Sequence, residues 1–303
     1  MQHYSALLRD EAGGRAVNLI NSSKPNDIYS ITAEKLKEKL NESDEKLAKL
    51  WLKLGINRKL AKRPVMVLPY GGTLLSCRKY IGDYLEETYS AKYLRNFFKI
   101  SNNPTDCVYQ ASLWLSKFLW NSIHETIKAA EKGMRYLRKL ARLSSGKKLP
   151  IEWVTPAGLL VKQAYPERKS KEVKTELYGS ILKTRINTDE ENTLDPQRQV
   201  NGICPNFIHS QDAACLMLYL IKCKEKGINS ISAVHDCYGT SAKYTDISAK
   251  LLREAFVEIY REPVLENFTE DITQGFNQEE LPEIPEKGSL DIEEVLKSDY
   301  FFS

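Results

Sequence analysis

The chain has 303 residues, of which 44 are Lys or Arg and 40 are Asp or Glu, so its formal net charge is +4. That length can bury a large core, in one large domain or two small ones. No long uncharged apolar run occurs, so no membrane span is predicted, and the first residues lack the pattern of a signal peptide. The six cysteines form no Cys-x-x-Cys pair, which argues against a zinc site or a disulfide framework. We therefore expect a cytoplasmic protein.

The charges are unevenly spread along the chain. Lys and Arg are dense over residues 58–79, 128–148 and 162–183, whereas the end from residue 266 is acidic. Basic surface followed by an acidic tail suits a polyanionic partner held in a groove. Solubility alone would also explain it.

The first half of the chain has the pattern of a helical domain. A polar loop is expected over residues 9–15 and an extended segment over 16–20. A long amphipathic helix follows from about residue 28 to Gly55, with a break near residues 41–43. The next helix starts at Arg58, with a bend expected near Pro64. Further helices are predicted over 81–99 and 107–143.

The second half begins with the most β-rich part of the chain. Strands are predicted over residues 149–155 and 159–165, with further strand-like sequence over 173–186. A helix over 213–226 would have His209 at its start, where a structural histidine is more common than a catalytic one. Another helix is expected over 246–260. The aromatic end Tyr300-Phe301-Phe302 suggests that the terminus folds back onto the body.

The segment Ile231–Thr240 is predicted to be a buried hairpin. Apolar residues lead to His235 and Asp236, and Tyr238-Gly239 turns the chain back. A carboxylate at such a tip can hold a divalent cation. It can equally cap the backbone amides of a turn.

A second candidate lies upstream, where Arg58, Lys62, Met66 and Tyr70 recur every four residues. On a helix they share one face, which places two cations before an aromatic ring. A charged face alone is often only a solvated face. Together with a hairpin carboxylate, these residues would provide cations for a triphosphate, a ring near a base and an acid for metal ions.

Several motifs resemble, in order and approximate spacing, the C-terminal part of the single-subunit DNA-dependent RNA polymerases of bacteriophages and mitochondria. The run from Arg58 to Gly71 resembles motif B of that family, and Val234–Gly239 resembles motif C. The other matching segments are Gln2–Ala6 with Arg9-Asp10-Glu11, Asp27-Ile28-Tyr29, Trp153–Pro156, Asn206–Asp212 and Ser298–Phe302. The match covers the whole chain.

The resemblance implies an α+β fold class, predominantly α-helical, with the palm and fingers of a right-hand polymerase and a small antiparallel palm sheet. It implies the following division: residues 1–30, a palm segment just after motif A; 31–145, fingers with the motif B helix at about 56–71; 146–202, a β-rich insertion; 203–265, palm with the motif C hairpin at about 231–240; and 266–303, an acidic tail with an aromatic end.

The resemblance also implies residue roles. Asp236 would be one of two aspartates that bind two Mg²⁺ ions. Arg58 and Lys62 would contact the triphosphate, with Arg63 beside them as a nucleotide-binding residue. The remaining roles would be base stacking and 2′-hydroxyl sensing by Tyr70, ribose contacts by His209 and Tyr29, and close approach of the template at Gly71. The chain departs from the family at the two prolines, Pro64 and Pro69, and at Cys237-Tyr238, where the family usually has Ser-Phe.

One aspartate cannot hold two metal ions about 3.5 to 4 Å apart. In the family the other aspartate lies in motif A, just before the sequence that corresponds to Gln2-His3. We therefore expect the C-terminal polypeptide of a split phage polymerase, working in the cytoplasm of the infected host. A second polypeptide would supply the N-terminal domain, the thumb and motif A. The other expected partners are a DNA template, the RNA product, ribonucleoside triphosphates and an accessory DNA-binding factor.

Two other functions remain open at this point. One is a DNA polymerase of the related palm family, although that group usually has a second acid where Cys237 stands, and His209-Ser210-Gln211 favours ribonucleotides. The other is a non-catalytic subunit that binds nucleic acid or a partner. Retention of Arg58, Lys62, Tyr70 and Asp236 argues against it, and the missing aspartate argues for it.

Overall fold

A computed structural model describes residues 1–234, 236–274, 276 and 281–302, with only the backbone of residues 188–192. Helices dominate, and the strands form three separate two-stranded antiparallel ribbons. The predicted α+β fold class, mainly helical with small antiparallel sheets, is confirmed. The division into five segments stays a prediction.

The α-helices of the described residues are numbered in chain order. They are α1 Gln2–Leu7, α2 Glu11–Ala16, α3 Ile28–Asn41, α4 Lys46–Leu54, α5 Arg58–Val67, α6 Leu74–Thr88, α7 Ala91–Phe98, α8 Pro104–Thr126, α9 Lys128–Gly146, α10 Pro196–Glu225, α11 Thr245–Arg261 and α12 Val264–Thr273. Short 3-10 helices cover Leu68–Tyr70, Ala242–Tyr244 and Ile292–Lys297.

The long helix expected before Gly55 is broken where the sequence predicted. It is divided into α3, which ends at Asn41, and α4, which starts at Lys46. The predicted polar loop over 9–15 is wrong, because residues 11–16 form α2, and residues 17–20 turn rather than extend. Tertiary packing overrides the low helix propensity of the glycine pair: a Cβ on Gly13 would lie 2.4 Å from Asp10 Oδ2.

The helical core forms where α8 packs against α3, α6 and α7. Asn103 caps α8 through the amides of Thr105 and Asp106, and Pro104 occupies the first turn, where its missing N–H costs nothing. The single helix expected over 107–143 is in fact two helices. The chain leaves helical geometry at Ile127, whose side chain is buried between α8 and α9.

The three ribbons are hairpins between neighbouring strands. The strands are β1 Ile151–Val154, β2 Leu160–Gln163, β3 Pro166–Leu177, β4 Ser180–Leu194, β5 Ile231–Val234 and β6 Cys237–Thr240. They pair as β1 with β2, β3 with β4 and β5 with β6. The predicted hairpin around residues 156–158 is confirmed. A hairpin is also present at Asp236, but it is not buried as predicted, because only the face that carries Tyr238 packs against the body. Tyr238-Gly239 also does not form its turn, since both residues pair within β6. The β3–β4 hairpin is longer than the predicted strand-like segment and turns at Tyr178-Gly179, both at positive φ.

The helix expected to begin at residue 213 begins at Pro196 instead. Asp195 caps it through the amides of Gln197 and Arg198, and Pro205 is accommodated inside it. The sequence had suggested that His209 lies at the start of a helix. In the structure it lies within α10. The helix also crosses the predicted boundary at residues 202–203.

The aromatic end folds back onto the body, as predicted. Phe301 is buried against Phe256 of α11. Arg253 donates to the carbonyl of Ser298 at 2.8 Å, and the Ser298 hydroxyl donates to the carbonyl of Asn18 at 2.7 Å. In the described part of the chain, none of the helices has the length and apolar character needed to cross a membrane.

Candidate active site

The β5–β6 hairpin places Asp236 at an exposed tip. Val234 and Cys237 form the last strand pair, and Asp236 follows directly before Cys237. The Sγ atom of Cys237 lies 3.9 Å from Asp236 Oδ1. Among the described residues, no backbone amide donates to this carboxylate, as the alternative interpretation of the turn would require. His235 lies outside the described residues.

An aromatic cluster supports this hairpin from behind. The half-buried ring of Tyr238 makes edge contacts with Tyr219 of α10, at a centroid distance of 5.1 Å, and with Phe302, at 5.6 Å. Phe301 and Phe302 also contact each other at 4.7 Å. Aromatic edge-to-face pairs add to the free energy gained from area burial alone. The orientation of the hairpin is therefore set by α10 and by the aromatic end.

The first turn of α5 presents Arg58 to the N-terminus of α3. Arg58 Nε lies 2.7 Å from Asp27 Oδ2, and its guanidinium lies 5.1 Å from the ring centroid of Tyr29. Asp27 also caps α3, accepting hydrogen bonds from the Ser30 hydroxyl and amide. Burial alone would raise the pKa of Asp27, but the hydrogen bonds from Ser30 and Arg58 outweigh it and lower that pKa. Arg58, Tyr29 and Asp27 thus form one polar cluster.

The other two cations of α5 differ in their surroundings. Lys62, one turn after Arg58, is exposed and makes no hydrogen bond or ion pair with the part of the chain that the structure describes. Arg63 lies on a different face and pairs with Glu87 of α6, with Nη1 and Oε1 2.7 Å apart. Lys62 is therefore available to an anion, whereas Arg63 is already paired.

Tyr70 and Gly71 follow α5 in a tight turn. α5 continues through Pro64 and ends at Val67, and Pro69 lies in the 3-10 helix that carries Tyr70. The bend expected near Pro64 stays a prediction. The ring of Tyr70 is 47% exposed and lies 5.0 Å from the ring of His209. Gly71 has φ 89°, which favours glycine, and a Cβ there would lie 3.9 Å from the carbonyl oxygen of Asn201 in α10.

The carbonyl of Asn201 lacks its usual hydrogen-bond donor within α10. Pro205, four residues after Asn201, has no N–H and cannot donate the usual helical hydrogen bond to it. The turn after α5 therefore contacts α10 where the helix lacks one of its own hydrogen bonds.

The β1–β2 ribbon fixes the half of α10 that follows Pro205. Trp153 Nε1 donates to the Ser210 hydroxyl at 3.0 Å, and Asn206 Nδ2 donates to Gln163 Oε1 at 2.8 Å. Two of the motifs on which the resemblance rests, Trp153–Pro156 and Asn206–Asp212, therefore contact each other. This contact holds the turn of α10 that carries His209.

Electrostatic effects indicate where Asp236 lies relative to these side chains. Burial raises the pKa of Tyr29 and of Tyr70, and the Asp236 carboxylate raises both further. Asp212, on the same helix as His209, also raises the pKa of Tyr70. Asp236, Tyr29, Tyr70 and Asp212 thus lie within electrostatic range of one another, in a region that we call the candidate cleft. Arg58 borders it through Tyr29.

The described residues offer one candidate ligand for magnesium. An exposed carboxylate is a hard oxygen ligand of the kind that Mg²⁺ prefers, so Asp236 suits the ion. Among residues 1–234, 236–274, 276 and 281–302, no three His, Cys, Asp or Glu side chains cluster in a metal-binding arrangement. Asp236 can therefore supply one ligand of a larger set.

Sequence reasoning assigned no role to three residues of this region. Asp27 binds Arg58, and His3 lies beside Asp212, with Nε2 and Oδ1 3.6 Å apart. Each of the three lies in a segment that resembles the family, and Asp27 also stands before a helical pattern, which indicates a cap. Neither signal identifies a contact partner, because the partners are distant in the chain.

Comparisons with known proteins identify the family of the chain. A family described as DNA-dependent RNA polymerase matches residues 1–280. The whole chain aligns at 35% identity with mitochondrial DNA-directed RNA polymerase 1B of Nicotiana tabacum, of which it covers 29%. It aligns at 32% with T7 RNA polymerase of Escherichia phage T7 and at 30% with the DNA-directed RNA polymerase of Enterobacteria phage K11, covering 39% and 38% of them.

The chain thus spans between about a quarter and two fifths of the length of these relatives. Both phage and plant mitochondrial enzymes are among them, so the phage setting and the cytoplasmic location stay predictions. The family match spans most of the chain, and the relatives align with all of it. The chain belongs to the DNA-dependent RNA polymerase family of the phage and mitochondrial single-subunit type.

Proposed function

We propose that this chain forms the palm and fingers of a DNA-directed RNA polymerase and takes part in the addition of ribonucleotides to the 3′ end of RNA. The observation that carries the proposal is the contact between Tyr70 and His209, 5.0 Å between ring centroids, beside the Asp236 carboxylate. A nucleotidyl transferase needs a surface for the sugar and base next to its metal-binding acid.

Each side chain has a part in this proposal. Lys62 is exposed and binds the triphosphate as a point charge. Arg58 reaches the triphosphate after exchanging Asp27 for phosphate oxygens. Tyr70 and His209 form the wall against which the ribose and the base lie. Gly71 has no side chain, so the turn leaves room there for the template.

The proposal includes two Mg²⁺ ions held in part by Asp236. When bound, such ions neutralise the charge that develops on the transferred phosphoryl group and activate the attacking hydroxyl. The described residues provide one carboxylate at the cleft tip, and two ions require more. We infer that the second carboxylate comes from polypeptide outside these 303 residues. The predicted source is a second chain that carries the N-terminal region, the thumb and motif A.

The proposed nucleic acid partners fit the charge distribution. Basic residues are dense over 58–79, 128–148 and 162–183. Phosphate contacts from such residues give binding that weakens steeply with salt, whereas the template sequence is read by base pairing. An accessory DNA-binding factor remains part of the prediction.

Primer extension tests the proposal. An RNA primer on a DNA template is incubated with magnesium and ribonucleotides, first with this chain alone and then with the product of the adjacent upstream reading frame. The expected result is extension only in the mixture, and its loss in Asp236→Asn. Asp44→Asn is the matched control, because Asp44 is exposed and has no hydrogen bond or ion pair within the described residues.

Other outcomes would favour the alternatives. Extension by this chain alone would show that the second carboxylate lies within it. Preference for deoxyribonucleotides would identify a DNA polymerase. Hybrid binding without extension in any mixture would point to a non-catalytic subunit.

A further inference from the structure

A chain of three polar groups, of which His3 and Tyr260 are buried and Asp212 is partly exposed, adjoins the proposed ribose surface. His3 of α1 is 7% exposed and contacts the rings of Phe256 and Tyr260 from α11. Its Nδ1 atom lies 2.7 Å from the Tyr260 hydroxyl, and its Nε2 atom lies 3.6 Å from Asp212 Oδ1. Both ring nitrogens of His3 thus face a polar partner on a different helix.

The partners of His3 determine which atom donates the proton in each of these contacts. Burial lowers the pKa of His3, which favours the neutral ring with a single N–H, although Asp212 acts in the opposite direction. Burial also raises the pKa of Tyr260 well above its usual value, so the phenol keeps its proton. A carboxylate can only accept, so the His3 proton lies on Nε2 toward Asp212, and Nδ1 accepts from Tyr260.

Asp212 connects this chain to the cleft. It lies three residues after His209 on α10, so the two side chains move together when the helix rotates. Asp212 is partly exposed and lies close enough to Tyr70 to raise its pKa. His209 contacts the same Tyr70 ring. Any rotation of this part of α10 therefore changes the His209–Tyr70 contact.

This part of α10 depends on such external contacts. Pro205 has no N–H, so the helical hydrogen bond from residue 205 to the carbonyl of Asn201 is missing. The β1–β2 ribbon holds one face of the helix through Ser210, and the His3 chain holds another through Asp212.

We propose that the Tyr260–His3–Asp212 chain is a positioning device that sets the rotation of α10 and thereby holds His209 against Tyr70 for recognition of the ribose. None of the three residues touches substrate in this proposal, so all three are positioning residues. The inference rests on the proposed function, because it explains how the same cleft would select a ribose.

The decisive variant is Tyr260→Phe, which removes one hydroxyl and leaves the ring contacts in place. The matched control is Tyr136→Phe, which removes a buried hydroxyl bound to Thr269 between α9 and α12, away from the cleft. For both variants, kcat/KM is measured in the polymerase assembly that contains this chain, with a ribonucleotide and with its 2′-deoxy analogue. We expect Tyr260→Phe to lower the ribo-to-deoxy ratio about three- to tenfold, the usual effect of one hydrogen bond, and Tyr136→Phe to leave it unchanged.

A similar fall in Tm for both variants would accompany this result and would not explain the difference in the ratio. An unchanged ratio in Tyr260→Phe, or an equal fall in both variants, would overturn the inference.

A second measurement does not require activity. The chain contains four histidines, so the loss of a signal in His3→Gln assigns the His3 imidazole in ¹H–¹⁵N spectra. The expected state is a proton on Nε2, with the Nδ1 signal displaced in Tyr260→Phe. A proton on Nδ1 in the wild type would overturn the inference. If the wild-type assembly extends no primer, the proposed function fails, and this spectrum still decides the arrangement of His3.

Discussion

Arg58 Nε and Asp27 Oδ2 lie 2.7 Å apart, so the cation proposed to bind the triphosphate is paired with the residue that caps α3. The two residues are separated by 31 positions. The ion pair holds the first turn of α5 against the start of α3. Asp27 is thus a helix cap and, under the proposed function, also a partner that nucleotide phosphate would replace.

These two roles predict different stabilities for two Asp27 variants. Asp27→Ala removes the cap and the ion pair, and we expect it to lower the free energy of unfolding by about 1 to 2 kcal/mol. Asp27→Asn keeps a good cap and loses only the charge, so the cost should be less than about 1 kcal/mol because Arg58 is half exposed. Urea denaturation measures both. Equal losses would show that the side chain does not act as a cap.

The same carboxylate predicts a pH dependence. The pKa of Asp27 is lower in the folded chain than in the unfolded chain, where it is about 3.9. The folded state therefore binds fewer protons at this group. Its stabilisation is fully present above about pH 4 to 5 and is lost as the pH falls through the folded-state pKa. The stability difference between wild type and Asp27→Asn, measured from pH 7 down to pH 3, should shrink; a constant difference contradicts this.

Release of Arg58 should affect nucleotide binding. In Asp27→Asn the guanidinium no longer has to leave a carboxylate, so KM for the ribonucleotide should fall, whereas Arg58→Ala should raise it. Steady-state kinetics at fixed salt measures both. If KM is the same in Asp27→Asn and the wild type, Arg58 does not exchange Asp27 for phosphate.

Lys62 should matter more to catalysis than to folding. Loss of one charge-assisted hydrogen bond to the triphosphate predicts that Lys62→Ala lowers kcat/KM roughly 10- to 100-fold. Lys92→Ala provides the comparison, because Lys92 is also exposed but lies on α7. Both variants should unfold at the same urea concentration. A similar kcat/KM in both would remove Lys62 from the site.

Gly71 combines backbone strain with a position at the cleft. An alanine there must adopt φ near 89°, which costs about 1 to 2 kcal/mol, and we expect activity to fall as well. Gly227→Ala is the comparison for backbone strain, since Gly227 also has a positive φ, 73°, and a methyl group added there would have no neighbour within 4 Å. Both should lose stability, measured by urea, and only Gly71→Ala should lose primer extension beyond that loss. Equal activity losses would mean that Gly71 has no role apart from its backbone.

Local patterns were sufficient for elements that end at a strong signal. Gly55 separates α4 from α5, and Asp236 lies at the tip of a hairpin, as the sequence predicted. The predicted turn at Tyr238-Gly239 is wrong, because both residues pair within β6. The start of α10 was placed wrongly because Pro205 resembles a helix stop. In the folded protein the Asp195 cap and the docking of Trp153 outweigh the single hydrogen bond that this proline removes.

The partners within the site could not be predicted in this way. Periodicity places Arg58 and Lys62 on one face, but the Asp27 carboxylate approaches Arg58 only because α3 packs on α5. His3 and Tyr260 are separated by 257 positions. Pairings of this kind are set by the packing of whole helices, which no local sequence signal describes.

The missing hydrogen bond at Pro205 has a mechanical consequence. A helix that lacks one of its hydrogen bonds bends most easily at that point, and in α10 this point faces the turn at Gly71. Bending of α10 and displacement of the Tyr70 turn are therefore coupled movements. The His209–Tyr70 contact lies one helical turn beyond Pro205, so it should change with the bend of α10.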